Sequence, residues 1–313
     1  MAKEIFESNA HNITPFIDPH GRLSGTANGK SVVVSGAGGL IGRGYATAFA
    51  LAGASHLTLV GRRASILEET RNAIRAVAPE TKVLVVSNTD ISKDSDVSSL
   101  FSKVKAEFGG PPDILINNAA ISGTWLPFAQ QTPSQWWEVQ EINMRGTINM
   151  CHAYITALTS NAPLKEGLII NVSSVGSYAY LPGISAYANS KAAMNNFTEY
   201  IDSENAGAHA ASPSTIPRIT AIPMHPGGVQ TEMAGVLPKE LFDTLRDSPE
   251  LAGGVAVWLS AEGRWLGGRF VSANWDMEKV AAEKERILKG ELLKLRVVGC
   301  EQIDYDAAVA EKQ

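Results

Sequence analysis

A β-branched run feeding directly into a glycine cluster constrains this chain more than any other feature. Ser31-Val32-Val33-Val34-Ser35 reads as a buried strand, and Gly36-Ala37-Gly38-Gly39-Leu40-Ile41-Gly42 carries it into a helix predicted over 41–54. Short apolar runs then alternate with helical stretches to the end of the chain. Strands are predicted at 56–60, 82–87, 113–117, 167–173, 218–222 and 268–273, and helices at 64–77, 95–107, 133–159, 186–203 and 249–261. Such alternation implies parallel strands joined by crossover helices. Continuous apolar runs such as Leu168-Ile169-Ile170 suit a sheet covered on both faces. The expected fold is therefore α/β: a single Rossmann-like, doubly wound parallel sheet of about seven strands, with ligands at the carboxyl ends of the strands.

Three segments stand outside the alternation. Residues 1–29 are polar and read as an N-terminal arm wrapping the domain or as a loose tail, and 30–275 as the main domain. Residues 205–217 are small, polar and proline-bearing, and read as an inserted loop. Residues 276–313 read as a C-terminal helical extension, charged and helix-prone over 276–297, that packs on the body or joins an oligomer contact.

With 313 residues and 44% hydrophobic content the chain can build a sizeable core. A net charge of -5 and the lack of a basic run argue against a nucleic-acid partner. Two cysteines, Cys151 and Cys300, make neither a disulfide framework nor a thiolate metal site, so no metal is expected. No apolar run is long enough to span a bilayer, and no signal or transit peptide is visible, so the expected location is cytoplasmic.

The glycine turn is the first functional signal. A helix N-terminus presents free amides and the positive end of the macrodipole, which favours a phosphate group. Gly36 suits the tight turn, Gly39 lets a pyrophosphate approach the backbone, and Gly42 permits close helix–strand packing. Ser35, Leu40 and Ile41 belong to the same cradle. At the end of the second strand an acidic residue would hold a ribose 2′-hydroxyl. Gly61 stands there instead, followed by Arg62 and Arg63. Two guanidinium groups suit a 2′-phosphate and point to NADP(H); the alternative is a pair of solvated loop arginines. Asp90, with Ile91 after it, either accepts from an adenine amino group or caps a turn. Asn117-Asn118-Ala119-Ala120 ends the fourth strand, and its alanines leave room for a flat cofactor.

Tyr187-Ala188-Asn189-Ser190-Lys191, with Ser174 upstream, is the second signal. A lysine four residues after a tyrosine on a helix lies on the same face. Its ammonium favours the phenolate and would pull the tyrosine pKa down, making Tyr187 a proton donor and acceptor for a carbonyl or alcohol.

Together these residues resemble the short-chain dehydrogenase/reductase superfamily over roughly residues 28–275. The resemblance rests on the glycine turn, Asn117-Asn118-Ala119-Ala120, Asn143, Ser174, the Tyr187–Lys191 motif, and Pro226-Gly227 with Thr231. It implies a catalytic set of Asn143, Ser174, Tyr187 and Lys191. The thirteen-residue spacing usual in its compact branch selects Ser174 over Ser173. Ser174 would hold the substrate oxygen and Tyr187 would exchange the proton. Lys191 would tune Tyr187 and bind the nicotinamide ribose, and Asn143 would hold a water linking Lys191 to solvent. Asn117 would support the cleft. After Pro226 and Gly227, Val229 and Thr231 would meet the nicotinamide carboxamide. Three departures stand out: Leu40 replaces the usual glycine, giving the G-x-x-G-x-x-G spacing of the extended branch; the 205–217 loop is long; and the end at 268–276 has the form of fungal members linked to secondary metabolism.

Trp125, Phe128, Tyr178, Tyr180, Leu181, Met233 and Leu237 are expected to wall the substrate pocket, with Trp125, Tyr180 and Met233 as substrate contacts, or else to be core and lid packing. An apolar wall suggests a bulky or cyclic substrate. Residues 231–247 are expected to form a lid. His225 beside Pro226 reads as structural. The expected activity is an NADP(H)-dependent ketone reductase or alcohol dehydrogenase. The alternatives are a non-redox isomerase, dehydratase or cyclase on the same scaffold, and an NADP(H)-binding sensor. The resemblance implies a homodimer or homotetramer through the helices carrying Asn143 and Tyr187.

Overall fold

A computed structural model describes residues 5–160, 166–205 and 218–297. Among them, seven parallel strands form one sheet: β1 (Ser31–Ser35), β2 (His56–Val60), β3 (Lys82–Val86), β4 (Ile114–Asn117), β5 (Gly167–Val172), β6 (Ile219–His225) and β7 (Val271–Ser272). Their order is β3-β2-β1-β4-β5-β6-β7. The order reverses between β1 and β4, so the carboxyl ends of those strands open a crevice at a topological switch point.

Alternate residues of each central strand feed two cores. Val32, Val34, Ile116 and Ile170 pack against α1 (Leu40–Leu51), α2 (Ala64–Val77) and the later helix over Pro249–Ala261. Val33, Leu115 and Ile169 pack against α3 (Asp94–Phe108) and a helix over Gly146–Thr159. Burial on both faces is why these strands read as unbroken apolar runs.

The helix predicted over 133–159 is continuous but not uniform. It comprises α4 (Pro133–Gln140), one wide π-type turn over Glu141–Arg145, and α5 (Gly146–Thr159). The Gly146 N–H reaches back five residues to the Glu141 carbonyl. Such a wide turn shifts the face of the helix by one residue and marks a local functional constraint. α6 (Ser185–Asn205) follows, then α7 (Lys239–Phe242), α8 (Pro249–Ala261), α9 (Met277–Ala282) and α10 (Lys284–Lys289).

Two strands, β6 and β7, differ from the sequence reading by more than one residue at an end. β6 runs on through Pro223 to His225, because pairing with β7 starts only at Met224, beyond the proline's missing N–H. β7 is shorter than expected. Gly268 has φ +69°, and the Phe270 N–H is taken by the Leu293 carbonyl at 2.7 Å rather than by a strand.

The described parts of both flanking segments, 5–29 and 276–297, pack on the domain. In the arm, Phe6 stacks on Trp275 with centroids 5.2 Å apart, and Ile17, Leu23 and Ala27 are buried. In the extension, Met277, Val280 and Ile287 enter the core. Arg296 and Lys294 pair with Glu199 on α6, and Arg269 pairs with Glu291. The expected 205–217 loop lies outside the described residues after Asn205.

Candidate active site

The glycine turn is built to leave its amide edge open. Gly36 sits at φ +66°, and a Cβ there would lie 2.8 Å from Asn118 Nδ2 and 2.9 Å from Ala119 Cα. A Cβ on Gly42 would lie 2.2 Å from the Gly36 carbonyl oxygen, so only glycine lets α1 start this close to β1. Gly39 precedes α1 without a side-chain cap, and a Cβ there would meet nothing nearer than the Gly36 oxygen at 3.6 Å. Free helix amides beside open space are what a phosphate needs, so the residues fit a dinucleotide pyrophosphate. Leu40, in the place of the usual glycine, turns its side chain outward and is 45% exposed. Ile41 is partly buried against the core.

The β4 end is stapled to this turn by residues the sequence reading underused. Asn118 Nδ2 donates to the carbonyls of Ser35 and Gly36 at 3.0 and 3.2 Å. Ser35 Oγ accepts the N–H groups of Asn118 and Ala119 at 3.0 and 3.1 Å. Asn117, by contrast, points inward. Its Nδ2 donates to Asn171 Oδ1 at 2.9 Å beside Cys151, whose thiol burial pushes up to about 12. Asn117 therefore braces β4 against β5, and Asn118 ties the cleft together. The signal for Asn118 was only its place in the doublet.

Arg62 and Arg63 are both exposed at the end of β2. Arg63 reaches across to Glu232 at 3.4 Å, whereas Arg62 makes no salt bridge among the described residues. Asp90 caps its own turn. One carboxylate oxygen accepts from Ser92 Oγ at 2.7 Å and from the Ser92 N–H at 3.0 Å. The Ser92 hydroxyl, ahead of the nearby Lys93 and Arg62 charges, holds its carboxyl below the usual range despite some burial. Ile91 is buried, and its carbonyl accepts from Asn149 at 3.1 Å.

Ser174 and Tyr187 meet at Gly176: a Cβ there would lie 3.4 Å from Ser174 Oγ and 3.9 Å from Tyr187 Cε1. Ser174 Oγ accepts the Gly176 N–H at 3.1 Å, and its hydroxyl is hydrogen-bonded to Tyr187. Ser173 is buried, and its Oγ donates to Asn195 Oδ1 at 2.5 Å, so it is committed to packing. Lys191 is buried one turn after Tyr187, with Nζ 5.6 Å from the Tyr187 ring centroid. Nζ donates to the Val172 carbonyl at 2.6 Å.

Burial pushes the Lys191 ammonium down to about 7, and burial also raises the Tyr187 phenol, which the Ser174 hydroxyl only partly offsets. Desolvation acts on both groups and disfavours the charged form of each.

Asn143 occupies the wide turn and has no exposed surface. Its carboxamide holds both the N–H and the carbonyl of Ile121, each at 2.9 Å, and donates to Ser190 Oγ at 3.0 Å. Its own carbonyl accepts the Thr147 hydroxyl at 2.7 Å. The side chain thus ties the loop after β4 to α6.

On the opposite wall, Pro226 and Gly227 lead into a buried Val229, and the Thr231 hydroxyl oxygen accepts the Ala234 N–H at 3.1 Å. Met233 begins a short helical turn, and its carbonyl accepts from Ser122 Oγ at 3.3 Å. Trp125 packs over Gly183, where a Cβ would come within 2.8 Å of its ring nitrogen. Tyr180 is 92% exposed. Tyr178 stands edge-on to Phe270 at 5.2 Å and borders a cavity of about 330 Å³ whose lining includes neither Ser174 nor Tyr187. His225 is buried, and its imidazole is pushed down to about 4 by burial, so it is neutral at physiological pH.

Among the described residues there is no cluster of metal-ligating side chains and no helix long and apolar enough to cross a membrane. The family model for short chain dehydrogenases matches residues 30–241. Short chain dehydrogenase mpl6 of Monascus purpureus is 38% identical over 277 residues, covering 87% of this chain and 89% of that protein. A short chain dehydrogenase structure from Shigella flexneri, in complex with NADP, has a TM-score of 0.68 at 23% identity, over 80% of this chain and 99% of that one. The 3-ketoacyl-(acyl-carrier-protein) reductase of Brucella melitensis, in complex with NADH, has a TM-score of 0.68 at 25% identity, over 79% of this chain and 97% of that one. The chain belongs to the short-chain dehydrogenase family.

Proposed function

We propose that this short-chain dehydrogenase is an NADP(H)-dependent oxidoreductase that interconverts a ketone and a secondary alcohol on a bulky or cyclic apolar substrate. The observation that carries the reading is the convergence of Ser174, Tyr187 and Lys191 at the strand ends, across from the open glycine turn. The turn residues Gly36, Gly39 and Leu40 would hold the pyrophosphate, Arg62 the 2′-phosphate, and Val229 and Thr231 the carboxamide. When bound, the nicotinamide supplies or accepts the hydride.

The chain's own residues do the rest. The Ser174 hydroxyl, hydrogen-bonded to Tyr187, turns to the substrate oxygen and fixes it beside that phenol. The Tyr187 phenol, kept neutral by burial, delivers its proton to the developing alkoxide in the reduction direction and takes it back in oxidation. Lys191, anchored on the Val172 carbonyl, stands near enough for its charge to stabilise the phenolate that results. Asn143 keeps the Ile121 loop, one wall of the cleft, in place.

Arg62 supports NADP(H) over NAD(H), because it is exposed at the β2 end and makes no salt bridge among the described residues. Trp125 and Met233 supply an apolar rim. The form of residues 268–276 suggests a role in fungal secondary metabolism, and the Monascus relatives are fungal. Exposed Trp137, Ile148 and Tyr200, on α4, α5 and α6, support self-association through those helices.

Calorimetric titration with NADPH and NADH, followed by an NADPH-oxidation screen against cyclic and aromatic ketones, tests the reading. Preferential NADPH binding with turnover of a carbonyl supports it. Tight binding without turnover on any carbonyl favours non-redox chemistry or sensing, and absent binding refutes the cofactor assignment.

A further inference from the structure

The loop leaving β6 crosses the cleft and returns at Asp247. Its two ends meet at a neck. The Asp247 N–H donates to the Gly228 carbonyl at 3.0 Å, and the Gly228 N–H donates to Asp247 Oδ2 at 2.5 Å. Beyond the neck, residues 229–246 carry Val229, Thr231 and Met233. They touch the far wall twice, through Ser122 to the Met233 carbonyl at 3.3 Å and through Arg63 to Glu232 at 3.4 Å. The Gly227-Gly228 turn has no side chains with which to fix itself, so its position must be set from outside.

The Asp247 carboxylate does this with groups distant in sequence. Oδ2 also accepts from Asn274 Nδ2 at 2.7 Å, and Oδ1 pairs with His11 Nδ1 at 2.5 Å. The Asp247 side chain is only 6% exposed. His11 is itself held. The Ser248 N–H donates to the His11 carbonyl at 2.9 Å, and Asn274 exchanges hydrogen bonds with the backbone of Ala10, at 2.9 Å in each direction. Burial raises the Asp247 pKa, but hydrogen bonds from Asn274, His11 and the Gly228 N–H outweigh it, so the group is a carboxylate at neutral pH. A buried carboxylate with this many donors is a strong local tie.

We infer that Asp247 is a positioning residue for the loop 229–246, and that the N-terminal arm acts on the cofactor site through His11 and Asp247. The link to the cofactor rests on the function proposed above; the neck itself does not.

Three variants test this: Asp247→Ala, Asp247→Asn and His11→Ala. Two readouts are needed, tryptic cleavage after Lys239 without cofactor and NADPH affinity by calorimetry. Asp247→Ala should speed cleavage and weaken NADPH by about tenfold each, as loss of a charge-assisted hydrogen bond predicts. It should raise KM for NADPH while kcat at saturation stays within about threefold. Asp247→Asn, which keeps one acceptor, should fall between wild type and Asp247→Ala. His11→Ala, far from the cleft, should move both readouts in the same direction by a few-fold, and it decides the matter if Asp247→Ala does not fold. Wild-type cleavage and wild-type NADPH affinity in folded Asp247→Ala and His11→Ala would overturn the inference. Faster cleavage in variants of a protein that never binds NADPH would uphold the neck and refute the cofactor reading alone.

Discussion

Asn143 holds the backbone of Ile121 by both of its polar groups: Nδ2 donates to the Ile121 carbonyl and Oδ1 accepts the Ile121 N–H, each at 2.9 Å. No smaller side chain can fill both roles. Asn143→Ala leaves a backbone donor and an acceptor without partners inside the protein, and is expected to cost about 2–4 kcal/mol of stability. Urea denaturation of the two proteins measures it, and a change in midpoint below the error of the fit would show that Asn143 is not structural.

Tyr187→Phe removes the phenol hydrogen-bonded to Ser174 with little change of shape. Turnover should fall by roughly 10²–10⁴-fold, the usual worth of a positioned general acid. NADPH affinity should change by less than about twofold, since no new cavity or charge is created. Steady-state rates and calorimetry on the same preparation separate the two effects, and a fully active variant would sink the role given to Tyr187.

Lys191 sets a pH dependence whose sign follows from burial. Its pKa is pushed from 10.5 in the unfolded chain down to about 7 in the folded protein. Between those values the unfolded state binds more protons, so wild-type stability rises with pH from about 7 toward 10.5. Below that window both states are protonated and the full cost of burying the charge remains. Lys191→Met removes this slope. Denaturation midpoints measured from pH 7 to 10 should therefore rise more steeply for wild type than for Lys191→Met, and parallel profiles would show that Lys191 stays protonated when folded.

The two arginines after β2 should behave differently. Arg62→Ala is expected to weaken NADPH by about tenfold or more while leaving NADH nearly unchanged, as loss of a guanidinium–phosphate contact predicts. Arg63 already faces Glu232, so Arg63→Ala should discriminate less between the cofactors. Dissociation constants for both cofactors give the comparison, and equal weakening by Arg62→Ala would refute a 2′-phosphate role.

Gly42→Ala places a methyl 2.2 Å from the Gly36 carbonyl oxygen and 2.8 Å from Ala37 Cα. Both are backbone atoms and cannot swing aside. A loss of roughly 1–3 kcal/mol is expected, with weaker NADPH binding as the turn shifts. Thermal unfolding with and without NADPH reads both, and an unchanged melting temperature would show that α1 can move away from β1.

Much of the frame was legible in the sequence because its signals are local. β1, β2, α2 and α8 fall on the predicted residues, since apolar periodicity and flanking turn residues mark their ends. The Tyr187–Lys191 spacing needed only a helix to bring the two together. Other features needed partners that periodicity does not reveal. The wide turn at Asn143 lies inside an unbroken helix, and its one-residue shift of face is too local for apolar periodicity to mark. The short β7 follows from Leu293 capturing the Phe270 N–H. The 92% exposure of Tyr180 was likewise not legible, because side-chain direction in a loop is set by the whole fold.

The sequence by itself determined the doubly wound sheet, the glycine turn between β1 and α1 and the spacing of Tyr187 and Lys191, because each depends on neighbours within a turn or a strand. Tertiary structure alone decided the protonation balance of the site and the framing of its loops. Burial, which no short stretch encodes, keeps Tyr187 neutral and pushes Lys191 down to about 7. It also brings His11 to Asp247 across 236 positions. Desolvation and long-range hydrogen bonds exist only once distant segments have packed together.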